Sequence, residues 1–234
     1  MRTGTYARLH AEIVSTRLER EPLPARLHRT LRAVSGEMSL LRAGTLVWPS
    51  MTEDAYHRYG RVLAAQLAEL AVRGHLWLSY GRDLPGPAGL EVARHSGAPP
   101  PAREEEAMLM RVVLGGEDSV RLASRTDGQA WDRLAATLHK ALKDDGLGWS
   151  RLDRYRTWKI LLTLRRWMAE YARREPAWRT DPALHLAGSP YAVLFGIENG
   201  SMSWPHPPEE VVYLPSLLPQ ACDMAVNGTG RSAW

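Results

Sequence analysis

One stretch constrains this chain more than any other: residues 150–175, SRLDRYRTWKILLTLRRWMAEYARRE. Ser150, with Asp153 three positions on, is the S-x-x-D form of a helix start, and Pro176 stops a helix that reaches it. Ile160, Leu161, Leu164, Trp167, Met168 and Tyr171 recur at helical spacing and so share one face. Arg156, Lys159, Arg166, Arg173 and Arg174 fall on an adjoining face, while Trp158, Leu162 and Arg165 lie off the main apolar stripe. From Arg151 to Arg174 eight basic residues stand against two acids, Asp153 and Glu170, a local net charge of +6. A helix that packs by one side and shows cations on another is suited to a polyanion.

The charge of the whole chain is less informative than its placement. The net charge is +4, carried by 27 Arg and only 3 Lys. Ile, Asn, Phe and Lys, whose codons are AT-rich, are all scarce, whereas Arg, Ala, Gly and Pro abound. A GC-rich genome, bacterial or viral, accounts for that bias, so Arg abundance alone is not a nucleic-acid signal. The basic excess is local: residues 151–174, and less strongly the N-terminal region around Arg2, Arg8, Arg17, Arg20, Arg26, Arg29 and Arg32. With 44% hydrophobic residues and nine Trp, the 234-residue chain can build a real core, as one large domain or two small ones. A single cysteine, Cys222, excludes an internal disulfide and a multi-cysteine zinc site; it fits a reducing compartment as a small apolar side chain. No apolar run is long enough to span a bilayer, and the N-terminus lacks a signal-peptide core, so the expectation is a cytoplasmic protein without membrane contact.

Along the chain, Tyr6 to Val14 alternates like a half-buried strand, and Pro24 opens a short helix through Leu27, Leu31 and Val34 to Ser35-Gly36. The segment from Gly36 to Pro49 is ambiguous and is compatible with a helical turn followed by a short strand, Thr45–Trp48. Ser50-x-x-Glu53 is a capping box for a helix over 52–73, with Tyr56, Val62, Leu63, Leu67 and Leu70 inward. Residues 75–80 read as a strand, and the Pro/Gly-rich 81–102 as a long loop. Met108–Leu114 and Ser119–Ser124 flank Gly115-Gly116 like a β-hairpin. Thr126-x-x-Gln129 opens a helix over 128–143 with Trp131, Leu134 and Leu138. Asp181-Pro182 and Ser189-Pro190 each resemble a helix start, the second leading to Asn199-Gly200. From Ser201 the chain is broken by prolines, with one short strand at Val211–Leu214.

The expected class is therefore α+β, helix-dominated, with a small, mostly antiparallel sheet. Strand 6–14, helix 52–73, strand 75–80, hairpin 108–124 and helix 128–143 would make a distorted ferredoxin-like βαββαβ core. That arrangement hosts many RNA-binding subunits, an analogy at the level of fold alone. Residues 1–146 would form the α+β core and 147–234 a helical, Pro-punctuated region packed on it as one compact unit.

Linear chemistry motifs are missing. The eight histidines show no metal-ligand spacing, and no G-x-S-x-G occurs. Asp144-Asp145 reads as a helix end, and Glu104–Glu106 as the opening of a strand or a solvated run. The Gly-rich 227–232 could cradle an anion, but it lacks a Walker lysine and a following helix and reads as a frayed tail. His10, between Arg8 and Glu12 on a strand face, could do acid–base work on a phosphodiester or simply decorate an edge. No cofactor and no metal is expected.

Three functions compete. The first is a non-enzymatic nucleic-acid-associated subunit of a larger assembly, contacting RNA or DNA backbone through Arg156, Lys159, Arg165, Arg166, Arg173 and Arg174, with Tyr155 or Trp158 stacking. Against it stands a plain solvated helix face with i±4 ion pairs. The second is a protein–protein adaptor using the rigid strip around Trp204, His206 and Tyr213, which could equally strap the domain surface. The third is an enzyme without a linear motif, such as a metal-independent nuclease.

Overall fold

The computed structural model describes residues 22–47, 55–80, 86–125, 129–134, 136, 151–173, 181–197 and 214–227. In chain order its elements are α1 (Leu23–Glu37), α2 (Leu40–Val47), α3 (Ala55–Val72), β1 (Leu76–Tyr80), β2 (Leu90–Arg94), α4 (Glu104–Leu114), β3 (Ser119–Arg121), α5 (Arg151–Arg173), α6 (Pro182–Phe195) and α7 (Leu214–Asn227). Short 3₁₀ turns occupy Gly86–Gly89 and Leu122–Ser124, and residues 129–134 are helical. The class is α+β, dominated by helix, with one three-stranded antiparallel sheet in the order β1-β2-β3.

The architecture follows from α3. All nine residues from Val62 to Leu70 are buried. A helix apolar on one face sits on a surface, whereas one buried all round must be central. α3 accordingly packs against α2, α6, α7 and β1. Small residues let its neighbours approach. At Gly44 of α2 a Cβ would lie 2.5 Å from one Val62 methyl and 2.6 Å from the other, so only glycine fits there. One hydrophobic core runs from Leu23 through Leu63, Leu67, Leu114 and Leu164 to Ala225. The sheet covers one end of α3: Leu76 pairs with Arg94 and Tyr80 with Leu90, and Val92 with Val120 on the other side.

Several sequence expectations are met. The Pro24 helix forms as α1, the 52–73 helix as α3 within its described part, the 75–80 strand as β1, and the helix after Ser150 as α5. Trp131 and Leu134 are buried as a helix over 128–143 requires, within its described residues.

Others are corrected. Residues 108–114 are not a strand, and there is no 108–124 hairpin. Glu105-Glu106, Leu109-Met110 and Val113-Leu114 are buried in pairs a helical turn apart, acids occupy the first turn, and Gly115 closes the helix in the left-handed conformation with φ 59°. The ferredoxin-like arrangement, which needed that hairpin, is not formed by the described residues; β2 instead pairs with β1. β2 lies inside the segment read as a loop, where Leu90 and Val92 point inward between flanking prolines. Thr45–Val47 end helix α2 rather than starting a strand. Ser189-Pro190 does not start a helix but lies within α6. Proline at 190 removes the donor that would reach the Leu186 carbonyl, and the Ser189 hydroxyl donates to that carbonyl instead, at 2.9 Å. The Gly196 backbone ends α6 before Asn199-Gly200. Leu214 begins α7, an unforeseen helix that accommodates Pro219 and buries Leu218, Ala221, Cys222 and Ala225. The strand expected at 6–14 and positions 211–213 of the second lie outside the described residues, as do Asp144-Asp145 and Gly228–Gly230.

Candidate nucleic-acid interface

α5 is held by the stripe that its sequence announces. Leu161, Leu164, Met168 and Tyr171 are buried, with Ile160 and Trp167 half-buried beside them. They pack on α1, α2 and α6. The Arg26 guanidinium of α1 lies 5.2 Å above the Trp167 ring and fixes one edge of the contact. Thr157 is buried, and its hydroxyl donates to the Asp153 carbonyl at 2.8 Å. Burial pushes the Tyr171 hydroxyl up from its ordinary value, with Asp181 adding to the effect.

The opposite side is exposed. Arg156, Lys159, Arg166 and Arg173 are all in solvent; Arg165 is half-buried, and Arg174 lies outside the described residues. Lys159, Arg166 and Arg173 are seven residues apart in turn, nearly two helical turns, so they form one row with steps of about 10.5 Å. The row continues toward the start of α5 through Tyr155 and Leu152, which are 49% and 51% exposed. Tyr155 stacks on Trp158 with ring centroids 5.6 Å apart, and the Lys159 ammonium sits 4.7 Å from the Tyr155 ring. Two aromatic rings and a cation are thus ordered on an exposed turn. Part of the charge is turned back on the helix itself: Arg173 Nε donates to the Ala169 carbonyl at 3.2 Å.

A second polar feature is buried. Glu106 is fully enclosed, with Arg73 Nη1 2.9 and 3.0 Å from its two oxygens and Arg103 Nη1 at 2.9 Å. Glu105 pairs with Arg42 at 2.8 Å and accepts from the Ser39 hydroxyl at 3.0 Å. Glu69 accepts from the Ser35 hydroxyl at 2.7 Å. Gln66 joins these groups: its amide nitrogen lies 3.4 Å from both Glu69 and Glu106, and its oxygen accepts from the Leu41 backbone at 3.1 Å. Burial pushes the Glu69 carboxyl up; the Ser35 hydrogen bond opposes this, Glu106 reinforces it, and Arg73 and Arg103 oppose it. The network pins the first turn of α4 to α1, α2 and α3. Glu104–Glu106 therefore neither opens a strand nor sits wholly in solvent; only Glu104 is exposed. The signal that could have revealed this is the pairing of Glu105-Glu106 with Leu109-Met110 at helical spacing.

Other candidates are placed as follows. The His75 ring is hydrogen-bonded to the Pro99 carbonyl at 3.0 Å, His95 stacks on Trp77, and His28 pairs with Asp181 at 3.0 Å. Asp181 caps α6 by accepting from the Leu184 backbone, which with His28 holds its carboxyl below the ordinary range against a smaller opposing effect of burial. Cys222 is buried and its thiol is pushed well up by burial and then by Asp223. Among the described residues no three His, Cys, Asp or Glu side chains come together to hold a metal ion. No described helix is long and apolar enough to cross a membrane. His10, Trp204, His206 and Tyr213 lie outside the described residues.

Comparison with protein-family models, with curated proteins and with solved structures gives no match to this chain.

Proposed function

We propose that the protein is a non-enzymatic, nucleic-acid-binding subunit of a larger intracellular assembly, and that α5 contacts the phosphate backbone. The observation that carries this reading is the exposed row Lys159, Arg166 and Arg173, opposite the apolar stripe whose Leu161, Leu164, Met168 and Tyr171 are buried on the same helix. The helix is anchored, so its cations are presented at fixed spacing. Arg156 adds a fourth charge beside the row. Four phosphate contacts on a single strand predict a log–log salt slope of roughly −3.

The test is equilibrium binding to labelled single-stranded RNA, single-stranded DNA and duplex over a salt series. Arg166→Glu with Arg173→Glu should weaken binding and roughly halve the slope. No binding at low salt would reduce the row to a solvated face.

The exposed Leu152 and Tyr155 favour a second reading, a protein partner seated on the start of α5. Such binding would depend weakly on salt and fail on Tyr155→Ala. An adaptor working through the C-terminal strip would instead fail on Trp204→Ala.

A further inference from the structure

Away from α5, an open cleft of about 400 Å³ lies between α4 and the helical residues 129–134. That is within the range of small-molecule sites, roughly 300–1,000 Å³. Its apolar walls are Met108, Val112 and Trp131, and three arginines, Arg111, Arg125 and Arg133, line it from three different segments. We infer that this cleft binds a phosphate monoester carried on an organic body, either a free nucleotide or the 5′-phosphorylated end of a strand. The inference is independent of the role proposed for α5.

The cleft is organised before any ligand arrives. Trp131 is almost fully buried, and its indole nitrogen donates to the Arg125 carbonyl at 2.9 Å, which fixes the backbone that carries that arginine. The Arg125 guanidinium donates to the Leu114 carbonyl at the end of α4 and to Glu117 at 2.7 Å. It lies against Gly115, where a Cβ would be 2.9 Å from its nitrogens, so a side chain at 115 would displace it. The Arg111 and Arg133 side chains are exposed, and among the described residues no hydrogen bond or ion pair engages their guanidiniums.

The charges decide the ligand class. Among the residues that line the cleft three are arginines and none is a carboxylate; Glu117 already pairs with Arg125, which leaves the Arg111 and Arg133 charges for the ligand to meet. The C-terminal end of α4 opposes an anion with about half a charge, less than any one guanidinium, and Arg125 already covers the Leu114 carbonyl. A carboxylate would satisfy one arginine; a phosphate monoester, carrying about −1.5 to −2 at neutral pH, matches the whole set and can take two of them bidentately. The apolar walls require a body on that phosphate, since an inorganic ion would leave Met108 and Val112 uncovered.

The test is calorimetric titration of the intact protein with AMP, adenosine and inorganic phosphate, and with a short oligothymidylate bearing either a 5′-phosphate or a 5′-hydroxyl. AMP should saturate one site and bind at least tenfold more tightly than adenosine or inorganic phosphate. Arg111→Ala with Arg133→Ala should weaken it by tenfold or more while leaving the melting temperature unchanged. The two oligonucleotides, titrated into Arg166→Glu with Arg173→Glu so that α5 does not contribute, identify the source: tighter binding of the 5′-phosphorylated strand than of its 5′-hydroxyl counterpart assigns a strand end, and equal binding of the two assigns a free nucleotide. Arg166→Glu with Arg173→Glu should not alter AMP binding, which separates this cleft from α5. The inference is overturned if AMP does not bind, if adenosine or inorganic phosphate matches it, or if the double alanine variant retains its affinity.

Discussion

Two buried carboxylates in one network should respond in opposite ways to losing their charge. Glu106 is fully enclosed between Arg73 and Arg103, both at 2.9 Å. In Glu106→Gln the two guanidiniums face an amide, whose nitrogen meets a donor whichever way it turns. Breaking a buried pair by removing one partner costs about 3–5 kcal/mol. That is a large share of a total stability of about 5–15 kcal/mol. With a urea m-value near 3 kcal/mol/M, the midpoint should fall by roughly 1–1.7 M. Glu69 differs because its environment already disfavours its charge: burial pushes its carboxyl up. In Glu69→Gln the amide still accepts one hydrogen bond, and the Ser35 hydroxyl can rotate to suit it. A group whose pKa is raised on folding stabilises the protein below its unfolded pKa, and that contribution fades as pH rises through the folded value. Glu69→Gln should therefore match or exceed the native protein at pH 7. Its advantage should vanish as pH falls below the ordinary carboxyl range. Urea titrations of both variants between pH 4 and pH 8 would measure this. Equal losses for Glu69→Gln and Glu106→Gln at pH 7 would refute the assignment of different roles.

Three further outcomes are expected. Gly44→Ala gains about 1 kcal/mol of helix propensity but drives a Cβ into the stiff Val62 side chain, at a cost of about 1–3 kcal/mol, so it should lower the melting temperature. In a Val62→Ala background the same change should be stabilising, and a double-mutant cycle without coupling would contradict the contact. Asp181→Ala should cost about 1 kcal/mol at neutral pH through loss of the α6 cap. Because the Asp181 carboxyl is lowered on folding, its contribution is present above the ordinary carboxyl range and lost as pH falls through the lowered value, so denaturation curves of variant and native protein should converge in acid. Cys222 should react with a disulfide reagent no faster than the protein unfolds, since its thiol is both buried and pushed up; rapid labelling of the native state would contradict that burial.

The sequence was most legible where one side of an element is wet. α5 shows this: Leu161, Leu164 and Met168 alternate with Lys159 and Arg166 at helical period, so pattern and charge agree. It was least legible where both sides are buried. Glu105 and Glu106 look like solvent residues until Arg42 of α2 and Arg73 at the end of α3 reach them; of their partners only Arg103, three residues before Glu106, is at a spacing the local sequence shows. The run Met108–Leu114 is apolar enough for either period; the acids before it and Gly115 after it decide for helix. Prolines misled in both directions. Pro190 and Pro219 resemble boundaries, yet the Ser189 hydroxyl and tertiary packing carry α6 and α7 through them. Of the proposed contact residues, Arg156, Lys159, Arg166 and Arg173 could be placed on an exposed face from spacing alone. The half-burial of Arg165 could not, because its neighbours come from elsewhere in the fold.

The row on α5 also sets a footprint. Lys159 and Arg173 are fourteen residues apart, about 21 Å along the helix axis. Seven residues fall about 20° short of two full turns, so the row winds slowly round the helix. A polyanion touching all three cations must lie almost parallel to α5, crossing it at roughly 10°. At about 3.4 Å of rise per nucleotide in a stacked strand, roughly six nucleotides bridge the row. Affinity should climb with oligonucleotide length up to that size and then flatten, a site size written in the spacing of three side chains.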